Sequence, residues 1–320
     1  MLRLKPIRRR KRRGPSRDVL RVADGAFWLA LVFAGLIGAR HLLSPSPPVA
    51  ARASVELSVP AATKATPGAT ASSAATATPV AAAHGAAAAP PPHPIIAIVI
   101  DDLGADAVHT RRAIALPRQV ALAFLPDPPD TPGLARMAAR EGHEVLLHMP
   151  MQAVTETRLG PLALTLDLPP DEIGRRLDRA LARVPGRIGV NNHEGSRFTA
   201  DRAALDPVMQ HLAPRHLFFL DSRTTVDTQV VAAARARGVQ TGSRDVFLDD
   251  VVTIDGVDAQ LRVLEAKARA QGAAIAIGHP HEITLDAVAY WTAHEKGFAL
   301  VTLRAAMRRK TEDSLTLATR

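Results

Sequence analysis

The sequence predicts an α/β domain built as a (β/α) barrel within residues 95–303 of 320, and three observations predict it. Eight short β-branched or apolar runs recur after Ile95, stretches of helical period separate them, and seven of the runs end in Asp, Asn or His. Repeated strand–helix units give either a closed barrel or an open doubly wound sheet; the strand count and the length favour the barrel.

The chain begins with a strongly basic segment. Residues 1–21 carry ten Lys or Arg against the single acid Asp18, which accounts for the whole formal net charge of +9 and leaves 30 residues of each sign in the remainder. A nucleic-acid-binding domain carries its positive charge on the folded part, so this distribution argues against DNA or RNA as a partner and for a cytoplasmic flank that sets membrane topology. Residues 22–43 follow, with the uncharged run GAFWLALVFAGLIGA at their centre. They are expected to form a transmembrane anchor, N-in, with Asp24 and Arg40 at the two interfaces. A signal peptide cleaved near Ala51-Arg52-Ala53 is the competing reading, and both readings place the domain outside the cytosol. Zero cysteines decides nothing about compartment. Residues 44–94 are almost entirely Ala, Pro, Thr, Ser and Val, the composition of a disordered, extended linker.

Strands are expected at Ile95–Asp101, Gln119–Leu125, His143–His148, Arg187–Asn192, His216–Leu220, Gly238–Gly242, Ala273–Gly278 and Gly297–Leu303. Helices are expected at Pro132–Glu141, Pro170–Arg183, Arg202–Leu212, Val226–Arg237, Val257–Gln271 and Thr284–Lys296, with Asp130 and Asp255 or Asp258 as capping residues. Gly142, Gly238, Gly272 and Gly297 stand where helices should stop. The polar stretch 304–320 is expected to be a tail that frays or ends in a short helix.

The residues that carry chemistry sit at strand ends: Asp101-Asp102, Asp127, His148, Asn191-Asn192-His193, Asp221, Asp245, and His279 with His281. In a β/α barrel these ends converge on one face, where active sites are built. Some of these acids also suit helix caps, so Asp127, Asp221 and Asp245 have a structural reading beside the functional one. Imidazole binds zinc and similar divalent metals, and a carboxylate supplies compensating charge. An Asp with two His from three strands leaves coordination positions open for water and substrate.

At these residues the segments IVIDDLG (98–104), LLHMPMQ (146–152), GVNNHEGSRFT (189–199), FFLDSRT (218–224), VFLDD (246–250) and AIGHPH (276–281) resemble the divergent polysaccharide deacetylase family. The resemblance covers the whole domain and implies an irregular (β/α) barrel of seven to eight strands, related to esterases that remove acetyl groups from cell-wall or capsular sugars. It implies a divalent metal, zinc by preference, held by Asp102, His148 and His193, with Asp101 as general base and His279 as general acid. Asn192, Asp221, Asp245 and His281 are the expected substrate-binding residues. Ordinary deacetylases place their second metal histidine four residues after the first; here that position is Gln152, and the role passes to His193. Glu194 replaces a common Met and is expected to face solvent.

The function expected is therefore hydrolysis of acetyl groups on cell-envelope polysaccharide, from a domain tethered at the inner membrane and lying in the periplasm or extracytoplasmic space. The alternative is a non-catalytic glycan- or partner-binding module on the same fold. A metal phosphoesterase would want more carboxylates and a phosphate clamp, for which Arg197, Arg223 and Arg244 are the candidates. Tyr290 and Trp291, in a predicted helix, suit packing better than sugar stacking.

Overall fold

A computed structural model describes residues 93–155, 158–294 and 297–318, the side chains of 313–318 excepted. The expected basic flank, membrane anchor and nearly all of the linker lie outside the described residues. Among the described residues no helix is long and apolar enough to cross a membrane.

Among the described residues nine strands form one parallel sheet: β1 Ile95–Leu103, β2 Ala121–Phe124, β3 Val145–Met151, β4 Arg187–Glu194, β5 Phe218–Asp221, β6 Thr241–Ser243, β7 Val246–Phe247, β8 Ala273–Gly278 and β9 Ala299–Leu300. The spatial order is β6-β5-β4-β3-β2-β1-β8-β7, with β9 added to the start of β1. The two ends of that path, β6 and β7, are separated in sequence only by Arg244 and Asp245. The sheet is therefore a (β/α) barrel with an unpaired seam between β6 and β7.

Alternation along each strand sorts the core into two layers. Outward residues such as Ile96, Ile98, Ile100, Leu122, Phe124, Leu147 and Met149 pack under the surrounding helices, while Ala97, Val99, Ala121, Ala123, Leu146, Leu220, Ile275 and Ile277 fill the interior. The interior residues are small along β1 and β2 and bulky along β8, which suits a narrow barrel. Gly189 of β4 belongs to this fit, because a Cβ there would overlap the ring of Phe218 on β5.

Helices α1 Ala107–Ile114, α2 Thr131–Arg140, α3 Pro170–Arg183, α4 Arg202–Leu212, α5 Val230–Ala236, α6 Ile254–Gln271, α7 Glu282–His294 and α8 Leu303–Ala318 surround the sheet. Helix α3 starts on a proline with Asp171 and Glu172 in its first turn, where the missing N–H is not needed and negative charge meets the positive end of the helix dipole. Asp106 caps α1 and Asp201 caps α4 with side-chain bonds. Two expected caps differ: Asp130 makes no capping bond, and α6 is capped by Thr253, whose hydroxyl accepts from Gly256 N–H, in place of Asp255 or Asp258.

Residues 304–318, within the stretch expected as a polar tail that frays or ends in a short helix, contribute most of α8. Its face Leu303, Ala306 and Met307 is buried against the barrel interior. Glu144 accepts from Arg304 N–H and the Ile188 carbonyl accepts from the Arg304 guanidinium, which fixes α8 at the starts of β3 and β4. Of the charged residues that masked this helix in the sequence, Arg308 and Glu312 are exposed, while Arg304 lies over the Phe218 ring. Another, Lys310, pairs with Asp245 in the seam.

Candidate functional site

β1 first sets two carboxylates side by side. In an extended strand Asp101 and Asp102 would point to opposite faces. The register with β2 slips between Ile100 and Leu103, and Asp102 takes a left-handed backbone with φ 57°. That bulge turns Asp102 toward the rim already occupied by Asp101; such conformations are rare for non-glycine residues and concentrate at functional sites.

The parallel register of β3 and β4 sets His148 beside Asn191 and Pro150 beside His193. Asn191 and His193, two residues apart, share the inward face. Asn191 is fully buried, and its amide nitrogen donates to both oxygens of Asp101 at 2.8 and 2.9 Å. That fixes the amide orientation and turns Oδ1 toward Nδ1 of His148, 3.0 Å away. His148 therefore carries its proton on Nδ1 and presents the Nε2 lone pair to the rim, the arrangement by which a second partner orients a ligating histidine.

Three acceptor atoms meet there. Asp102 Oδ1 lies 3.1 Å from His148 Nε2 and 2.8 Å from His193 Nδ1, and the two ring nitrogens are 3.2 Å apart. Asp102, His148 and His193 are the group able to hold a metal ion among the described residues. Although two nitrogens are close to it, Asp102 Oδ1 is buried with no hydrogen bond directed at it. A tetrahedral divalent ion with bonds of about 2.0–2.2 Å separates its donors by about 3.3–3.6 Å. The observed edges approach that spacing, and two imidazoles with one carboxylate suit zinc. The residues present fit the ion.

The charges around this point are strongly coupled. Burial would raise the Asp102 carboxyl, but His148 and His193 override it and hold it far below the usual carboxylate range. Burial likewise opposes the His148 cation, yet the facing Asp101 and Asp102 push its pKa up. For Asp101 burial wins, and its carboxyl is raised despite His148, His279 and the Asn191 bond.

His279 follows β8 on the other side of β1. Its Nδ1 donates to Asp249 Oδ1 at 3.0 Å and its backbone N–H donates to Oδ2 at 2.6 Å, while the Thr284 hydroxyl also donates to Oδ2 at 2.8 Å. Nε2 is thereby left facing the site, 3.9 Å from Asp102 Oδ2. Burial would lower the His279 pKa, but Asp249, Asp101 and Asp102 outweigh it and push it up to about 9. The site thus combines three metal-type ligands, a buried carboxylate and an oriented imidazolium.

The remaining expected residues are distributed differently. Asn192 holds the rim together, accepting from Ser222 N–H at 3.0 Å and donating to the Glu194 carbonyl at 2.7 Å. Asp221 is buried, and its Oδ1 accepts from Arg223 N–H at 2.8 Å. Asp245 has a structural role in the seam, accepting from Ile275 N–H and Lys310; its position after a three-residue strand left it short of the rim cluster. His281 is exposed, its ring centroid 6.2 Å from that of His279. Gln152 is turned away from the three ligands, its Oε1 accepting from Leu166 N–H. Sequence reasoning left Asn191 and Asp249 without roles. Strand parity with His193 marks Asn191, whereas Asp249 follows a two-residue strand too short to be read.

Residues 98–307 match the family described as divergent polysaccharide deacetylase. The uncharacterized protein YibQ of Escherichia coli K12 is 39% identical over 190 residues, which are 59% of this chain and 60% of that protein. An uncharacterized protein of Haemophilus influenzae Rd is 36% identical over 190 residues, 59% of this chain and 68% of that one. The chain therefore spans less than two thirds of the E. coli relative. The solved structure of the uncharacterized protein ATU2773 from Agrobacterium tumefaciens C58 covers 67% of this chain and 89% of its own, with a TM-score of 0.64 and 32% identity. With a match over more than half its length, the chain belongs to the divergent polysaccharide deacetylase family.

Proposed function

We propose that the domain is a metal-dependent hydrolase that removes acetyl groups from cell-envelope polysaccharide. The observation that carries this reading is the convergence of Asp102 Oδ1, His148 Nε2 and His193 Nδ1, with the buried carboxylate oxygen lacking a hydrogen bond. A bound divalent ion, zinc by preference, supplies a Lewis acid that polarises the acetyl carbonyl and acidifies water. Asp101, buried and held by Asn191, accepts the water's proton. His279, held as an imidazolium by Asp249, donates from Nε2 to the departing sugar nitrogen or oxygen. The attacking water thus yields acetate, and the sugar leaves as amine or alcohol. The two titrating groups lie on β1 and just after the end of β8. Opposite partners, Asn191 for the base and Asp249 for the acid, fit them to opposite tasks.

The basic segment 1–21 and the apolar segment 22–43 support an inner-membrane tether that holds the domain in the periplasm.

Metal analysis of the full chain beside its His148→Ala variant tests the site. One divalent ion per chain in the parent, lost in the variant together with acetate release from acetylated wall glycans, is the expected result. Full metal occupancy in the variant overturns the ligand assignment. A metal-loaded parent that releases no acetate from any acetylated glycan favours the non-catalytic binding module.

A further inference from the structure

At the seam lies a cavity of about 340 Å³ lined by Arg223, Thr225, Val226, Arg244, Asp245 and Lys267. Three of the six are cations. Among the described residues no carboxylate lies within ion-pairing distance of Arg223, Arg244 or Lys267, and the one acid in the lining, Asp245, is already engaged by Lys310 and Ile275 N–H. General basicity does not explain this, because the chain beyond residue 21 carries equal numbers of acids and bases.

Arg244 is also held in place. It is half-buried; its Nε donates to the Ser222 carbonyl at 2.6 Å and one terminal nitrogen to the Arg223 carbonyl at 3.0 Å, while its guanidinium rests 4.9 Å from the centre of the Phe247 ring. Arg223 adopts a left-handed backbone, φ 50°, fixed by the bond from its N–H to buried Asp221. Burial and the like charge of Arg223 work against the Arg244 cation, with Asp250, Asp221 and Asp101 offsetting part of that, and its pKa is pushed down. Arg244 is partly desolvated and near the like charge of Arg223, with no carboxylate in ion-pair contact among the described residues, so an anion that joins the two cations is favoured. Arg244 is linked to the site through two neighbours: Phe247, under its guanidinium, packs against His279, ring centroids 5.0 Å apart, and the hydroxyl of Ser222, whose carbonyl it binds, is 3.4 Å from the Asn191 amide that holds Asp101.

We propose that Arg223, Arg244 and Lys267 form an anion-binding subsite that takes a carboxylate or phosphate carried by a sugar of the glycan, next to the residue being processed. This rests on the glycan-hydrolase reading above and narrows its substrate to acidic polysaccharide.

The test is calorimetric titration of the full chain with two matched pairs: hyaluronan tetrasaccharide against neutral tetra-N-acetylchitotetraose, and N-acetylglucosamine 6-phosphate against N-acetylglucosamine. The acidic member of at least one pair should bind about tenfold or more tightly, the scale of a charge-assisted guanidinium contact. Preference in the first pair identifies a carboxylate, and in the second a phosphate. It should persist in the presence of EDTA, which removes direct binding of the anion to a metal, and fall toward unity in Arg223→Gln and Arg244→Gln. Arg223 is exposed, so its variant keeps the test valid if loss of Arg244 disturbs folding. Equal affinities in both pairs, a preference abolished by EDTA, or one that survives both substitutions overturns the subsite. Because binding is read separately from acetate release, failure of the hydrolase reading leaves a different record: the anion preference remains while no acetate appears.

Discussion

Replacing Asp249 with Asn tests what keeps the proton on His279. The carboxylate receives three donors, His279 N–H, His279 Nδ1 and the Thr284 hydroxyl. An amide offers one oxygen to them and sets its own N–H₂ against the rest, besides losing the charge. A hydrogen bond to a charged group is worth about 1.5–3 kcal/mol. At about 1.36 kcal/mol per pH unit this corresponds to a fall of about 1–2 units. The His279 pKa should therefore drop from about 9 to about 7–8, the remaining elevation coming from Asp101 and Asp102. NMR titration of the His279 Cε1–H in the full chain, with chelator present, reads this directly, and the alkaline limb of acetate release should move to lower pH by the same amount. Stability follows with a definite sign. A histidine whose folded pKa exceeds its ordinary 6.5 contributes stabilisation that is complete below pH 6.5 and lost as pH rises through about 9. The parent should lose stability across that window and the variant should lose less. A His279 resonance in the variant that titrates within about half a unit of the parent refutes the assignment of Asp249 as the group that holds the proton.

Two other substitutions probe how the fold supports the site. Asn191→Ala frees the His148 ring and removes both bonds to Asp101, so metal affinity measured by competition with a chromophoric chelator should fall about 10- to 100-fold; unchanged affinity would mean that packing alone orients His148. Gly189→Ala places a methyl against the Phe218 ring inside the barrel and should lower unfolding free energy by about 1–3 kcal/mol in a denaturant titration. A midpoint equal to that of the parent would show that the ring has room to move.

What was legible in the sequence follows from how much local signal each element carries. IIAIVID and AAIAIG are buried on both faces, so they read as continuous apolar runs, and β1 and β8 begin at the expected residues. His216 and Leu217 have strand-like composition, yet His216 ends a 3₁₀ turn with φ 52° and β5 starts two residues later. Helix α1 was missed because ADAVHTRRAI has a weak apolar stripe, although Asp106 caps it with two backbone bonds. Asp102, His148 and His193 were readable because a histidine at the end of an apolar strand stands out chemically. The bulge that brings Asp102 to the side of Asp101 left no comparable mark, since it depends on the register between β1 and β2. Asn191 and Asp249 define the site's chemistry through orientation: one selects the His148 tautomer and the other the His279 proton. Neither effect is a property of residue type. Both arise from distances that exist only once β4 lies beside β3, and β7 beside β8. The same dependence separates this chain from deacetylases that use a histidine four residues after the first. Gln152 turns to the 158–168 loop, and β4 supplies His193 across the strand pair in its place. The second metal-type histidine is thus tied to sheet register, and the registry of β3 on β4 is part of the candidate site.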